Sequence, residues 1–481
     1  MSHTTSTPTR SFGFYLNGNW NTHGREVVIS SPFDRSVVAV VYEATADDVE
    51  TAIGSALEAF AVTRKLTSFQ RTSVLRKIAD GVRQRREEFA RTICQEAGKP
   101  IKVARIEVDR GISTFEVAAE EASRIYGEYI PLDTLEATAG RWGLVRRFPI
   151  GPVFAITPFN FPLNLVAHKV APAIAAGCPL ILKPAPQTPV TALLLAEVVH
   201  DAGWPEGAFA VMPLSNDDAA SLVSDPRIKL LTFTGSAAVG WALKNKAGKK
   251  RVTLELGGNA GVIVHSDADL AYATQRCVAG GFSYAGQTCI SVQRILVEHS
   301  VFEGFTKLML ESIKKLKAGD PMHDDTDIPP LIRESDAVRV VEWIDEAIQG
   351  GAKLLAGGKR NGSFIPPTVL TGTTPEMRVN CAEIFAPVVT VEPYEDFHDA
   401  IRQINNSPYG LQAGILTRDA GRIQLAFDEL EVGSVIIGDV PSFRVDQMPY
   451  GGIKESGLGR EGLRYSIEDM TERKLLVMAL H

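Results

Sequence analysis

From Val153 onward the chain alternates short, wholly apolar runs with longer amphipathic ones, and it does so twice. Residues 153–156, 180–182, 209–212, 229–233 and 251–255 read as strands. Between them, 163–176, 190–202, 217–223 and 238–246 carry apolar side chains at helical spacing. Strands with no polar alternate face belong to a parallel sheet covered by helices on both sides. A second series runs from about residue 262 to 437, with helices at 302–316, 335–349 and 397–405. The expected fold class is therefore α/β, with two such units and a ligand cleft between them. At 481 residues the chain also exceeds what one hydrophobic core supports.

The segment before this series reads as strands at 14–16, 27–29 and 37–41, then helices at 47–60, 68–85, 87–97 and 101–126. Two strand-like pieces follow, 127–131 and 140–148. A two-stranded ribbon is barely stable alone, so this one is expected to pair with something else, such as another subunit. The chain ends in an apolar strand at 474–480 that needs an edge to join. Net charge is −7 with pI near 5.8, which gives no electrostatic reason to expect nucleic acid or an anionic membrane as partner. No apolar run reaches the roughly 18–20 residues that span a bilayer. Residues 1–12 lack the patterns of a signal or transit peptide and read as a frayed tail. The five cysteines (Cys94, Cys178, Cys277, Cys289, Cys381) are odd in number and scattered. That argues against a disulfide framework and against a metal site, and it suits a reducing cytoplasm.

Among them, Cys289 closes Phe-Ser-Tyr-Ala-Gly-Gln-Thr-Cys (282–289), a Gly-containing turn in which backbone N–H groups can favour a thiolate. A small buried hydrophobe explains a lone cysteine as well. Glu255 ends an apolar strand before two glycines and suits a general base; a cap or salt-bridge partner is the alternative. Asn160, in the turn 157–162, could donate to a developing oxyanion or simply form the turn. Gly235 and Ser236 stand between strand and helix, where N–H groups suit a pyrophosphate, although the full GxGxxG fingerprint is missing. Lys183 ends another strand, in reach of ribose hydroxyls or of solvent.

In order, TPFNFP (157–162), LKPA (182–185), FTGS (233–236), LELGG (254–258), GQTC (286–289), EIFAP (383–387) and PYGGIKESGLGREG (449–462) resemble the aldehyde dehydrogenase superfamily over essentially the whole chain. The resemblance implies a modified Rossmann cofactor domain (1–123 and 149–255), an α/β catalytic domain (256–445) and a β-arm for oligomerisation (124–148 and 465–481). It implies a homodimer or homotetramer and NAD or NADP as cofactor. Cys289 would attack the aldehyde to give a thiohemiacetal, then a thioester. Asn160 and the Cys289 N–H would hold the oxyanion, Glu255 would activate the hydrolytic water, and Glu461 would relay protons. Cofactor contacts would come from Thr157, Pro158, Phe159, Lys183, Gly235, Ser236, Leu256, Gly257, Glu383 and Phe385. Trp204 resembles an adenine-side contact or is a loop anchor. Pro186 stands where NAD-selective relatives carry a glutamate, so NADP is not excluded.

Mapped by distance from these motifs, the pocket mouth should include Arg110, Phe161, Asn164, His168, Thr288, Ile290, Arg444 and Tyr450. Two guanidinium groups there would suit a carboxylated, phosphorylated or hydroxylated aldehyde; alternatively they pair with Glu107 or Asp446. Arg294 reads as structural. Ser283 replaces the arginine of succinate-semialdehyde enzymes, so the resemblance leans toward the lactaldehyde and glyceraldehyde-3-phosphate branch. Two other readings are a CoA-acylating semialdehyde dehydrogenase, whose members generally lack the glutamate found here at 255, and a non-catalytic scaffold protein.

Overall fold

A computed structural model describes residues 10–479. Its larger sheet has eight strands. Val153–Ile156 lies at the centre, parallel to Leu180–Lys183 on one side and Leu230–Thr234 on the other. The chain builds outward through Leu180–Lys183 and Phe209–Val211, then returns to the other side with Leu230–Thr234 and Arg251–Glu255. Strand order thus reverses beside Val153–Ile156. The loops leaving the carboxyl ends of the strands on either side diverge there and open a crevice. Residues 157–163, 234–236 and 255–257 all leave strands at that crevice.

The second sheet has seven strands, built around Gly261–Val264, with Arg294–Glu298 and Gln412–Leu416 parallel to it. Each sheet is covered by helices, as the apolar strands predict. In the helix Asn164–Ala176 every residue is buried, His168 and Lys169 included. Polar groups placed so deep must find partners, and these two lead directly to the site described below.

The structure departs from the sequence expectations in four places. Ser11–Phe12 is not a tail but a short strand parallel to Val37–Glu43; residues 1–9 of that expectation lie outside the described residues. The helix Ile101–Ala122 stops short of residue 126. Gly457–Leu458 adds an edge strand antiparallel to Arg251–Glu255. The ribbon and the C-terminal strand, each expected to need a partner, find one another: Glu128–Pro131, Arg141–Pro149 and Thr471–Ala479 form one antiparallel sheet. Among the described residues no helix is long and apolar enough to cross a membrane, and no group of His, Cys, Asp or Glu could hold a metal ion.

Candidate active site

The crevice of the larger sheet faces a cavity of about 310 Å³. Pro158, Phe159, Asn160, Phe161 and Asn164 line it from the first strand's turn and the following helix. Gly235, Ser236, Glu255, Leu256 and Gly257 line it from the neighbouring strand ends. The second sheet's side contributes Thr288, Cys289, Ile290, Glu383 and Phe385, and Arg110, Arg444 and Tyr450 close it. Thr157, Lys183, Pro186, His168 and Glu461 do not border this cavity.

Cys289 arrives on an unusual loop. The helix Leu270–Phe282 ends, and Tyr284, Ala285 and Gly286 then adopt successive left-handed conformations (φ 51°, 52° and 69°). Only glycine takes φ > 0 without penalty, so tertiary contacts must hold the other two. The Tyr284 hydroxyl donates to the Ala97 carbonyl (2.8 Å), and the Gln287 side chain accepts from Ile332 N (2.9 Å). A Cβ at Gly286 would lie 2.3 Å from the Ala386 carbonyl oxygen, so the loop also needs its glycine.

Burial pushes the Cys289 thiol up to about 11, against the opposing pull of the Tyr450 hydroxyl and the Arg444 charge. Burial thus opposes the thiolate that the turn was expected to favour, with Tyr450 and Arg444 pulling the other way. The Sγ lies 3.1 Å from the Tyr450 hydroxyl.

Glu255 is buried, and neither of its carboxylate oxygens has a hydrogen-bond partner among the described residues. It is neither a cap nor a salt-bridge partner. Burial, reinforced by the nearby Glu461, raises its pKa well above the usual carboxylate range. Burial also works against ionisation of Glu461, but Lys169 and Arg444, each 2.9 Å away, outweigh it and hold Glu461 at about 2. Two neighbouring carboxylates are thus driven apart: one takes up a proton readily, the other keeps its charge. Through these two ion pairs Glu461 anchors Arg444 and Lys169.

Asn160 donates from its amide to the Gln287 carbonyl (3.0 Å), so the oxyanion candidate is tied directly to the cysteine loop. The amide keeps a second N–H, and the Cys289 backbone N–H meets no acceptor among the described residues.

On the opposite wall, Glu383 accepts from Gly258 N (3.1 Å), and burial raises it to about 7. A Cβ on Gly257 would lie 2.1 Å from a Glu383 oxygen, so only glycine lets this carboxylate lie across the strand end. Phe385, at φ 54°, meets Phe159 edge-on with ring centroids 6.0 Å apart. Lys183 is buried, which lowers its pKa, and Pro186 is exposed. Trp204 is buried and donates to the Ala208 carbonyl (3.3 Å), which favours the loop-anchor reading.

Residues 20–476 match the aldehyde dehydrogenase family. The chain belongs to the aldehyde dehydrogenase family. It is 42% identical over 478 residues to a 3-sulfolactaldehyde dehydrogenase of Priestia megaterium, covering 99% of this chain and 100% of that one. It is 39% identical over 471 residues to a lactaldehyde dehydrogenase of Methanococcus aeolicus (96% and 99% covered). Among solved structures, aldehyde dehydrogenase 21 of Physcomitrella patens, in complex with the reaction product succinate, superposes with TM-score 0.97 at 45% identity (98% and 99% covered). The NADP complex of a glyceraldehyde-3-phosphate dehydrogenase from Methanocaldococcus jannaschii gives TM-score 0.91 at 36% identity (95% and 100%).

In this aldehyde dehydrogenase the two arginines expected at the pocket mouth behave differently. Arg444 donates to Glu461 and lies over the Tyr450 ring, with 3.8 Å from its Cζ to the ring centroid. It forms an ion pair, though not with the expected Asp446. Arg110 lines the cavity with no salt bridge, and one guanidinium nitrogen has no partner among the described residues. Its expected alternatives are occupied elsewhere: Glu107 pairs with Lys99, and Asp446 lies 3.0 Å from His168 and accepts from Thr114 (2.9 Å). His168 is therefore a buried structural residue, which corrects its place at the pocket mouth. Arg294 is structural as expected, donating to the carbonyls of Asn259, Gln403 and Ile404.

Sequence reasoning missed the buried pair of Lys99 and Glu107. Glu107 accepts from Leu163 N and Asn164 N (2.9 and 3.2 Å), while Lys99 Nζ lies 3.6 Å from the Phe161 ring centroid and 4.7 Å from that of Tyr284. The pair joins the Asn160 turn to the Cys289 loop. Its one signal in the sequence is a lysine within the apolar-flanked Ala-Gly-Lys-Pro-Ile run (97–101).

Proposed function

We propose that this enzyme oxidises small anionic or hydroxylated aldehydes to carboxylic acids with NAD or NADP, using Cys289 as nucleophile. The observation that carries the substrate class is Arg110, a half-buried arginine in the cavity of Cys289 with one buried guanidinium nitrogen that has no partner among the described residues. A buried donor left unpaired is costly, and an anionic substrate group would supply the missing partner. The relatives whose names specify 3-sulfolactaldehyde, lactaldehyde and glyceraldehyde-3-phosphate, and the moss enzyme that yields succinate, support this class. The moss enzyme keeps carboxylated semialdehydes in the class despite Ser283.

The residues around the cavity suit the nicotinamide and pyrophosphate of a dinucleotide, whose adenosine end would extend beyond it. Gly235 and Ser236 begin the helix Ala237–Lys246, whose Ser236 side chain caps nothing, leaving its N–H groups for a pyrophosphate. Gly257 makes room for Glu383, which would hold the nicotinamide ribose, with Phe385 and Leu256 beside the ring. Lys183 would reach the adenosine ribose, and exposed Pro186 places no negative charge against a 2′-phosphate. When bound, the cofactor accepts the hydride that turns the thiohemiacetal into a thioester.

The protein's own part begins with loss of the Cys289 proton and attack of sulfur on the aldehyde carbon. The second Asn160 amide N–H and the free Cys289 N–H point to an oxyanion site, the electrostatic part of the catalysis. Glu255, unpaired and raised, then takes a proton from water as that water attacks the thioester. A retained Glu255 favours hydrolysis over transfer to CoA. The reading carries the expected organisation with it: cofactor domain 1–123 and 149–255, catalytic domain 256–445, arm 124–148 and 465–481.

A panel of apolar, hydroxylated, carboxylated, sulfonated and phosphorylated short aldehydes, assayed with each cofactor, tests the proposal. Highest kcat/KM on the anionic members, with free acid as product, is the expected outcome. Preference for long alkyl aldehydes, or acyl-CoA formed ahead of acid, overturns it.

A further inference from the structure

We propose that the Tyr450 hydroxyl is a catalytic hydrogen-bond donor to the Cys289 sulfur, strengthened by Arg444 on the face of its ring. This rests on Cys289 as the nucleophile and assigns Tyr450 a role beyond lining the pocket. The Tyr450 side chain is buried, and the 3.1 Å contact with Cys289 Sγ is its hydroxyl's only hydrogen bond among the described residues. A phenylalanine would fill the same space, so the hydroxyl is explained by the sulfur alone.

Its position is fixed from two sides. Tyr450 N donates to the Glu461 carbonyl (2.9 Å), and Glu461 N donates back to the Tyr450 carbonyl (2.6 Å). The Glu461 side chain holds Arg444 over the ring, and Lys169 anchors Glu461 from behind with a further bond to Thr232 (3.0 Å). A guanidinium on a phenol face withdraws electron density from the ring and makes the O–H a better donor.

The chemistry needs such a group. The charged or titratable groups facing Cys289 are Tyr450, Arg444, Glu255 and Glu383; the two carboxylates disfavour a thiolate, and only the first two favour it. Burial raises Tyr450 well above its ordinary value, so the phenol keeps its proton when the thiol ionises. In the step itself the S–H bond breaks and the proton passes to the Glu255 carboxylate, which releases it to solvent before it takes a proton from the hydrolytic water. The Tyr450 O–H stays intact and donates to the new thiolate.

The test is the pH dependence of Cys289 alkylation by iodoacetamide, read by peptide mass spectrometry on the full chain without aldehyde or cofactor. Tyr450→Phe should move the profile to higher pH by about one unit, a roughly ten-fold slower reaction on its rising limb. Placing 3-fluorotyrosine at position 450, which makes the hydroxyl a stronger donor, should move it to lower pH. This variant decides the matter if Tyr450→Phe does not fold. Profiles that overlay the wild type overturn the proposal. Alkylation needs no turnover, so a failed aldehyde assay would count against the proposed function and leave this result standing.

Discussion

At the residue scale the site is a study in one environment acting on unlike groups. Glu255 and Glu461 share a buried pocket with Lys169 and Arg444 nearby, yet only Glu461 is ion-paired with them. Replacing Glu461 by Gln removes the negative charge that raises Glu255 and leaves Lys169 and Arg444 to lower it. The Glu255 pKa should fall, so the acidic limb of thioester hydrolysis should move to lower pH. Single-turnover hydrolysis followed across pH checks this, and an upward shift would contradict the coupling. Arg110→Leu makes the corresponding statement for substrate. A charged hydrogen bond is worth about 1.5–3 kcal/mol, so kcat/KM should drop roughly ten- to hundred-fold for anionic aldehydes and little for neutral ones. Equal losses on both classes would remove Arg110 from substrate recognition. Cys289, Glu255 and Asn160 stood out in the sequence because each sits beside glycines or prolines that mark a turn, after a helix for Cys289 and after a strand for the other two. Their protonation did not, since burial depends on what the fold brings from hundreds of residues away. The burial that opposes a Cys289 thiolate is of that kind.

At the element scale, the short apolar strands announced both sheets, because a strand buried on two faces leaves no other pattern. The loop before Cys289 was hidden. Nothing in Tyr284 or Ala285 signals a left-handed backbone, which is imposed by contacts with Ala97 and with the loop's surroundings. Lys99, in the segment joining two helices, and Glu107, on the second of them, are central to that imposition, since together they touch both the Asn160 turn and the Cys289 loop. Their side chains have no exposure, and removing one partner of a buried pair costs about 3–5 kcal/mol. Lys99→Met should therefore lower the melting temperature measurably and reduce kcat more than it raises the KM for cofactor. A variant that melts with the wild type, or loses only cofactor affinity, would show that the pair does not hold the loops.

At the scale of the whole molecule, the three-stranded arm poses a problem that one chain does not solve. Leu475, Leu476 and Val477 are consecutive on the strand Thr471–Ala479 and 48%, 51% and 50% exposed. Successive side chains of a strand point to opposite faces, so both faces of the sheet are open to solvent here. Tyr129, on the strand Glu128–Pro131, is 67% exposed as well. An apolar strand at a sheet edge, bare on both sides, invites pairing with another chain. A second copy of this chain is the partner we propose, because a two-fold interface buries the same patch on each subunit. Sedimentation of the purified enzyme should give a dimer or tetramer. Changing Leu476 and Val477 together to Asp places a charge on each face and should shift the protein toward monomer. Because the cavity around Cys289 lies within one chain, any monomer that stays folded should keep its cofactor affinity. A wild-type monomer, or a double variant with unchanged sedimentation, would assign the arm to a different partner.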